Sequence, residues 1–341
     1  MRHLLLLLPF CLGDDARPAP TTHFIGSGDV GKSQFDLVFV SLDPTALTVD
    51  TTTLFSLPGW VMVQGDATAF DPATSTYYAT LNDASKPGYG YSSLFAINAE
   101  AGTVLWRKDF DVNFTMGALA WEPGSKRLVG LCGSLMVDMR VSSFCALDPA
   151  TRTITPLNTF KDIGHNVSYD PDTRALDPVN HLYYHRLYTA TGGAWMPDNI
   201  VTLSSINGSI LNAVYGGGPE YAGAVFDRTS QQLWSGSNAP GGIDLCLVDP
   251  VSGATHPTGA WVQHEKGGTN MIYAATAALD GANAWSFVTA GFSSVPGLHF
   301  MAVDISNKNY TLDRISYMFA FKNPEVGLLA GLHLWSGNSA K

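Results

Sequence analysis

Charge is what this chain has least of. Charged residues make up 14% of its 341 positions, against about 25% in an ordinary soluble domain. Cations are the scarcer kind, with 19 Lys and Arg against 29 Asp and Glu and a formal net charge of −10. Phosphate backbones are neutralised by clustered Lys and Arg, so this balance excludes nucleic acid as a partner. Cysteine is scarce too, four in all, and no Cys/His spacing has the form of a zinc site. There is no Gly-x-Ser-x-Gly elbow and no Ser/His/Asp order to suggest a nucleophile. We therefore expect no catalytic residue and no cofactor. Beyond the N-terminus no apolar run is long enough to span a bilayer, so we expect no membrane span.

What is present is repetition. Ser93-Leu-Phe-Ala-Ile-Asn-Ala-Glu-Ala-Gly-Thr-Val-Leu-Trp106 reads as two short strands around a tight turn, with Asn98 and Gly102 supplying left-handed backbone angles. The same phrase returns at Phe39 to Asp43, Phe144 to Asp148, Val201 to Asn207, Leu245 to Asp249 and Phe300 to Asp304. A second phrase alternates with it: a short apolar run, an acid or Asn, often Pro, then another strand. Its copies are centred on Asp71-Pro, Glu122-Pro, Asp177-Pro, Asp227, Asp280 and Asn323-Pro. An acid ahead of Pro starts a turn by accepting a hydrogen bond from the backbone two residues on.

The stretch Ala96-Ile-Asn98-Ala-Glu-Ala-Gly102-Thr-Val-Leu-Trp106 resembles the repeat of quinoprotein-type β-propellers, in which Ala, Asp and a Thr-Gly pair precede a docking Trp. Here Asn98 stands for the Asp and Ala101 for the Thr, while Pro156 and Pro257 occupy the Trp position in other copies. The resemblance covers the repeat unit and implies a propeller. The alternation points the same way, because a four-strand unit every 40–50 residues or so is a propeller blade. We expect an all-β single propeller of six blades, closed where the hairpin Tyr317 to Trp335 joins the hairpin Leu37 to Phe55. Seven blades is the alternative, if Thr21 to Gln34 hides strands.

The expected division is a secretory signal at 1–13, a leader at 14–34 and the propeller at 35–341. Met1-Arg-His, an apolar run from Leu4 to Leu12 and a small Gly13 fit a signal peptide; a buried N-terminal strand is the other reading. Sequons at Asn113, Asn166, Asn207 and Asn309 favour the secretory route and an extracellular destination. Cys132 and Cys145 fall on consecutive strands. A bridge between them suits that placement, and so does a place for both as small apolar core residues.

Propeller geometry puts two sets of connections at opposite ends. One set is short. The other is long and rich in Gly and aromatics, and there we place the binding residues Tyr89, Tyr91, Arg140, Trp195 and His264. The function expected is a secreted, monomeric binding module for a protein or glycan. The alternative is a hydrolase, lactonase or lyase holding a calcium-like ion at the channel mouth through Asp66, Glu220 and Asn270, since a hard cation wants oxygen ligands.

Two motifs are set aside. Gly26 to Ser33 fits the P-loop pattern, but the residues after it read as strand, and a phosphate cradle needs a helix there. His181 and His185 are a ligand pair only on a helix; on a strand they stand about 13 Å apart.

Overall fold

A computed structural model describes residues 22–29, 34–43, 48–62, 67–86, 90–134, 140–160, 167–169, 174–191, 194–215, 221–227, 232–239, 242–252, 254–263, 298–302, 317–321 and 328–334. Every regular element among them is a strand. The first sheet holds β1 (Thr22–Asp29), β2 (Gln34–Asp43) and β3 (Thr48–Pro58). The second holds β4 (Trp60–Met62), β5 (Thr68–Asp71), β6 (Thr76–Asp83), β7 (Ser92–Asn98) and β8 (Thr103–Asp109). A nine-stranded sheet follows. Its first half is β9 (Thr115–Glu122), β10 (Arg127–Ser134), β11 (Arg140–Asp148) and β12 (Thr153–Thr159). Its second half is β13 (Val167–Tyr169), β14 (Ala175–Asp177), β15 (Leu182–Thr191), β16 (Ala194–Ser204) and β17 (Ile210–Tyr215). The fourth sheet is β18 (Tyr221–Asp227), β19 (Gln232–Ala239), β20 (Gly242–Val248) and β21 (Thr255–Gln263), and the fifth is β22 (Leu298–Ala302) with β23 (Tyr317–Phe321). The last strand, β24 (Leu328–Leu334), returns to the first sheet and pairs with β1.

Five sheets make five blades among the described residues, which corrects the expected six and the alternative seven. The cause is β13. This three-residue strand pairs with β11 at Arg140 and with β15 at Leu187 to Thr189, and so joins two repeat units into one sheet. The repeat copy at Ala278 to Trp285 lies outside the described residues. Closure also differs from expectation. β23 pairs with β22, and only β24 crosses to the N-terminal sheet, where it meets β1 and not the hairpin Leu37 to Phe55. The segment read as leader therefore supplies a strand with neighbours on both sides, and Ile25 within it is fully buried.

That strand also disposes of the P-loop. Gly26, Ser27 and Gly28 sit in the ladder opposite Val38, Leu37 and Asp36, and β2 follows at Gln34. Among the described residues no helix begins there to hold a phosphate.

The tight turns share one construction. A side-chain oxygen at the strand end accepts a backbone N–H two residues on: Asp71 from Ala73 at 3.0 Å, Glu122 from Gly124 at 3.0 Å, Asp148 from Ala150 at 2.8 Å and Asp177 from Val179 at 3.0 Å. Asp249 does the same with Val251 at 2.9 Å, and Ser204 with Ile206 at 3.3 Å. Four residues after the oxygen the chain turns left-handed, at Ser75, Lys126, Arg152, His181 and Gly208. Asn98 and Gly102 follow the same scheme, with Asn98 accepting from Ala101. The acid-turn phrase of the sequence is this hairpin, repeated.

Between sheets the strands are buried on both faces, so alternate residues serve different cores. Leu128, Cys132, Cys145 and Leu147 pack with Tyr78, Leu94 and Ala96 of the second sheet. Their neighbours Val129, Leu131, Phe144 and Ala146 pack with Tyr183, Leu187, Val201 and Leu203. The repeat's Trp106 leans on the first of these clusters beside Tyr78, with Arg152 over its ring. A disulfide joins Cys132 to Cys145 with their Cα atoms 6.0 Å apart. Cys246, in the matching repeat position, is buried.

Candidate functional site

Loop-end residues of the second sheet form one continuous rim. Trp60 of β4 pairs with Asp83 at the end of β6. The Asp83 N–H donates to the Tyr91 carbonyl at 3.0 Å, and the Phe110 N–H donates to Ser92 at 3.1 Å. Trp60, Asp83, Tyr91 and Phe110 thus stand in a row across the sheet edge. Tyr91 is 40% exposed. The Lys86 ammonium lies 5.8 Å from its ring centroid. The Arg107 guanidinium lies 4.3 Å from the Trp60 ring centroid and 5.7 Å from that of Phe95. A cation held over an aromatic face is attracted by the ring quadrupole, and Arg adds planar stacking.

The connection carrying Tyr91 is pinned. The Asn113 N–H donates to the Gly90 carbonyl at 3.1 Å, and the Ala84 N–H donates to Gly59 at 2.9 Å. A Cβ at Gly90 would come within 2.6 Å of the Asn113 side-chain oxygen, so a larger residue there requires that side chain to swing aside. Gly59, at φ +80°, makes the corner that delivers Trp60.

Charge on the rim is paired. Hydrogen bonds from Ser85 hold the Asp83 carboxyl below its usual range, with Lys86 and Arg107 adding to the effect. Asp109 is lowered first by the Ser93 hydroxyl, which donates at 2.7 Å, and then by Arg107. Both carboxylates are ionised at neutral pH. They leave two cations and two anions interleaved with aromatic faces.

Of the residues expected from sequence, Tyr91 lies on this rim. Arg140 opens β11, with its backbone opposite Ser134 and Ser168. Trp195 is in β16 opposite Ala190. That position corrects the placing of Trp195 in a long connection, because β15 and β16 run on as a ribbon to Thr191 and Ala194. Tyr89 and His264 lie outside the described residues, as do Asp66, Glu220 and Asn270 of the metal alternative. No group of three His, Cys, Asp or Glu that could hold a metal occurs among the described residues. His181 is not a ligand partner of His185: its Nδ1 is 3.2 Å from Glu122, while His185 is buried with Nδ1 2.7 Å from the Arg186 carbonyl. The sequence reading missed Trp60, Lys86 and Arg107. The signal for Trp60 was the Pro-Gly corner directly before it.

Toward the axis the inner strands are tied by one polar chain. Among these, β5 lies beside β9 and β24, and β14 beside β9 and β18. Arg174, just ahead of β14, donates to the carbonyl of Leu119 in β9 and to that of Thr68 in β5, the latter at 2.6 Å. The Thr68 hydroxyl is 3.2 Å from Nε2 of His333 in β24. Phe70 and Tyr77 flank the His333 ring. The residue keeps intermediate exposure overall. Its imidazole is nonetheless enclosed, and burial, with the Arg174 charge second, pushes its pKa well below the ordinary histidine range. Arg174 thus supplies donors to carbonyls of two different inner strands.

No family model matches the chain, and no curated protein matches it. A chain of the nidogen/laminin complex superposes with a TM-score of 0.51 at 14% identity, over 92% of this chain and 98% of that one. This chain is a β-propeller. A protein from Lactobacillus plantarum matches the propeller with a TM-score of 0.50 at 14% identity, over 89% of this chain and 82% of that one. A candidate 6-phosphogluconolactonase from Bacteroides uniformis also gives 0.50, at 10% identity over 92% and 99%. At such identities the likeness is one of fold, and fold alone does not assign function. Among the described residues no helix of the propeller is long and apolar enough to cross a membrane.

Proposed function

We propose that this propeller is a secreted, monomeric binding module that takes a protein ligand on the rim formed by Trp60, Tyr91 and Arg107. One observation carries the reading: Tyr91 is exposed on backbone that is already fixed from both sides. An anchor ordered before binding loses little entropy on binding, and Trp, Tyr and Arg are the residues that dominate interface energetics. The mixed charges beside it suit a ligand whose own charges interleave, which sets register more than affinity. The solved structure with the highest TM-score given above belongs to a complex of two proteins, nidogen and laminin.

The test compares wild type with Tyr91→Ala and Arg107→Ala on a panel of secreted proteins and on a glycan array. We expect a protein ligand whose affinity falls about 30-fold in Tyr91→Ala, the loss of a central anchor of about 2 kcal/mol. Lys126→Ala, in a turn at the opposite end, leaves that affinity unchanged. A ligand indifferent to both rim substitutions refutes the proposal, and a response on glycans alone replaces the protein by a glycan. The hydrolase alternative, through Asp66, Glu220 and Asn270, requires a stoichiometric divalent ion, which elemental analysis of the purified chain detects.

A further inference from the structure

We infer that Asn207 is an N-glycan acceptor, and that its glycan covers the end of the propeller opposite the rim. The sequon Asn207-Gly208-Ser209 forms the apex of the turn between β16 and β17. Asn207 and Ser209 are exposed, whereas Gly208 between them is buried. The Asn207 side-chain oxygen accepts from the Ser209 N–H at 3.0 Å and from the Ser209 hydroxyl at 2.8 Å. Those bonds occupy the oxygen and leave the amide nitrogen pointing away with no partner among the described residues. The middle residue explains why the turn stays as it is. Gly208 has φ +73°, and a Cβ there would sit 2.7 Å from the Leu157 side chain. Its carbonyl accepts from the Asn158 amide at 2.7 Å, and Arg127 donates to Ile206 at 3.0 Å. The turn is bolted to the neighbouring half-sheet while its acceptor side chain projects into solvent.

Asn113 is a poorer acceptor once the chain has folded. Its sequon threonine, Thr115, is 2% exposed within β9, and its own side-chain oxygen lies over Gly90. The Cys132–Cys145 bridge is a second, independent pointer to the same compartment, because disulfides persist where N-glycosylation occurs and not in a reducing cytosol. The donor is a lipid-linked oligosaccharide diphosphate. A bond forms between the Asn207 amide nitrogen and the sugar C1, the bond from C1 to the diphosphate oxygen breaks, and the lipid diphosphate leaves with that electron pair. The amide nitrogen gives up one proton to the transferring enzyme. A glycan is large, flexible and polar, and here it extends from the turn end, away from Tyr91.

The experiment expresses the full chain in eukaryotic cells and digests it with an amidase that releases N-glycans in heavy-oxygen water. Mass spectrometry of the peptide spanning residue 207 then shows Asp with one heavy oxygen. Asn207→Gln and Ser209→Ala each remove one glycan increment on a gel, and Ser209→Thr restores it. Ser209→Ala keeps the test open if Asn207→Gln fails to fold. Unmodified Asn207 in the recovered protein overturns the inference, as does a chain that carries no glycan at any position. The outcome is independent of ligand binding at the rim, so either proposal can fail without the other.

Discussion

Glu122 joins the two halves of the nine-stranded sheet. Its carboxylate is fully buried, yet it accepts from three donors: the Ser205 hydroxyl, the Gly124 N–H at 3.0 Å and the His181 ring at 3.2 Å. Two of those donors, Ser205 and His181, belong to turns of the other half of the nine-stranded sheet. Ser205 is itself fully buried, whereas the His181 side chain is 41% exposed. A hydrogen bond to a charged group contributes about 1.5–3 kcal/mol, and a stranded buried donor costs about 1–3 kcal/mol. The exposed histidine adds at most about 1 kcal/mol, because solvent screens it. Gly124 is exposed and can turn to water. Glu122→Ala is therefore expected to cost about 3–5 kcal/mol, from the lost hydrogen bonds, the stranded Ser205 hydroxyl and the cavity left by the side chain. That is a large share of the 5–15 kcal/mol or so that stabilises a domain.

Removing a buried charge also removes its desolvation cost, so the sign needs a sharper variant. Glu122→Met keeps the volume and discards the charge, and such replacements are often neutral when every partner is replaced too. Here the Ser205 hydroxyl stays behind. We expect Glu122→Met alone to cost about 1–3 kcal/mol, and Glu122→Met with Ser205→Ala to cost no more than the single change. Urea unfolding midpoints for wild type, both single variants and the double variant measure the coupling. If the two substitutions add like distant sites, or if Glu122→Ala stays within about 0.5 kcal/mol of wild type, the account of this turn junction is wrong.

Two further predictions concern stability. The Cys132–Cys145 bridge closes a loop with a sequence separation of 13, for which chain entropy gives about 3 kcal/mol; reductant on wild type and the Cys132→Ala/Cys145→Ala pair should lower the urea midpoint alike, and an unmoved midpoint under reductant counts against the bridge. His333 has a folded pKa depressed below its unfolded value near 6.5, so the unfolded chain takes up the proton first as pH falls. Its stabilising contribution is complete above about pH 6.5 and is lost below it by up to about 1.4 kcal/mol per pH unit; His333→Gln, which does not titrate, should flatten the stability profile between pH 6.5 and 5.5.

The turn chemistry was readable because it is local. An acid or Asn at a strand end, with a turn residue after it, encodes its own hydrogen bond, and Asp71, Glu122, Asp148, Asp177 and Asp249 all make that bond. β1 was not readable because Thr-His-Phe-Ile-Gly-Ser-Gly-Asp has neither strict alternation nor an apolar run. It becomes a strand by pairing with β2 on one side and β24 on the other. The blade number failed for a related reason. β13 is only Val167-Ser-Tyr169, and its pairing with both β11 and β15 is a tertiary event with no signature in three residues. Tyr91 was found by loop composition. Trp60 and Arg107 were not, because both lie on strands outside the long connections, and only folding lays the guanidinium on the indole.

The two ends of the propeller spend their polar groups differently, and this difference supports the proposed rim. At the turn end, side-chain oxygens cap their own hairpins, and Asn158, Arg127, Glu122 and Ser205 tie one half-sheet to the next. A substitution there changes stability before it changes any surface. At the rim the backbone at Asp83, Ala84, Gly90 and Tyr91 is held by hydrogen bonds among these strands and to Gly59 and Asn113, so the fold does not depend on what the Tyr91 side chain does. Tyr91 is 40% exposed at a position where the backbone is already held, so Tyr91→Ala reads the proposed binding role without a folding penalty. Turn chemistry that recurs from blade to blade frees the opposite end to vary, and the rim of the second sheet is where that freedom carries aromatic faces and paired charges together.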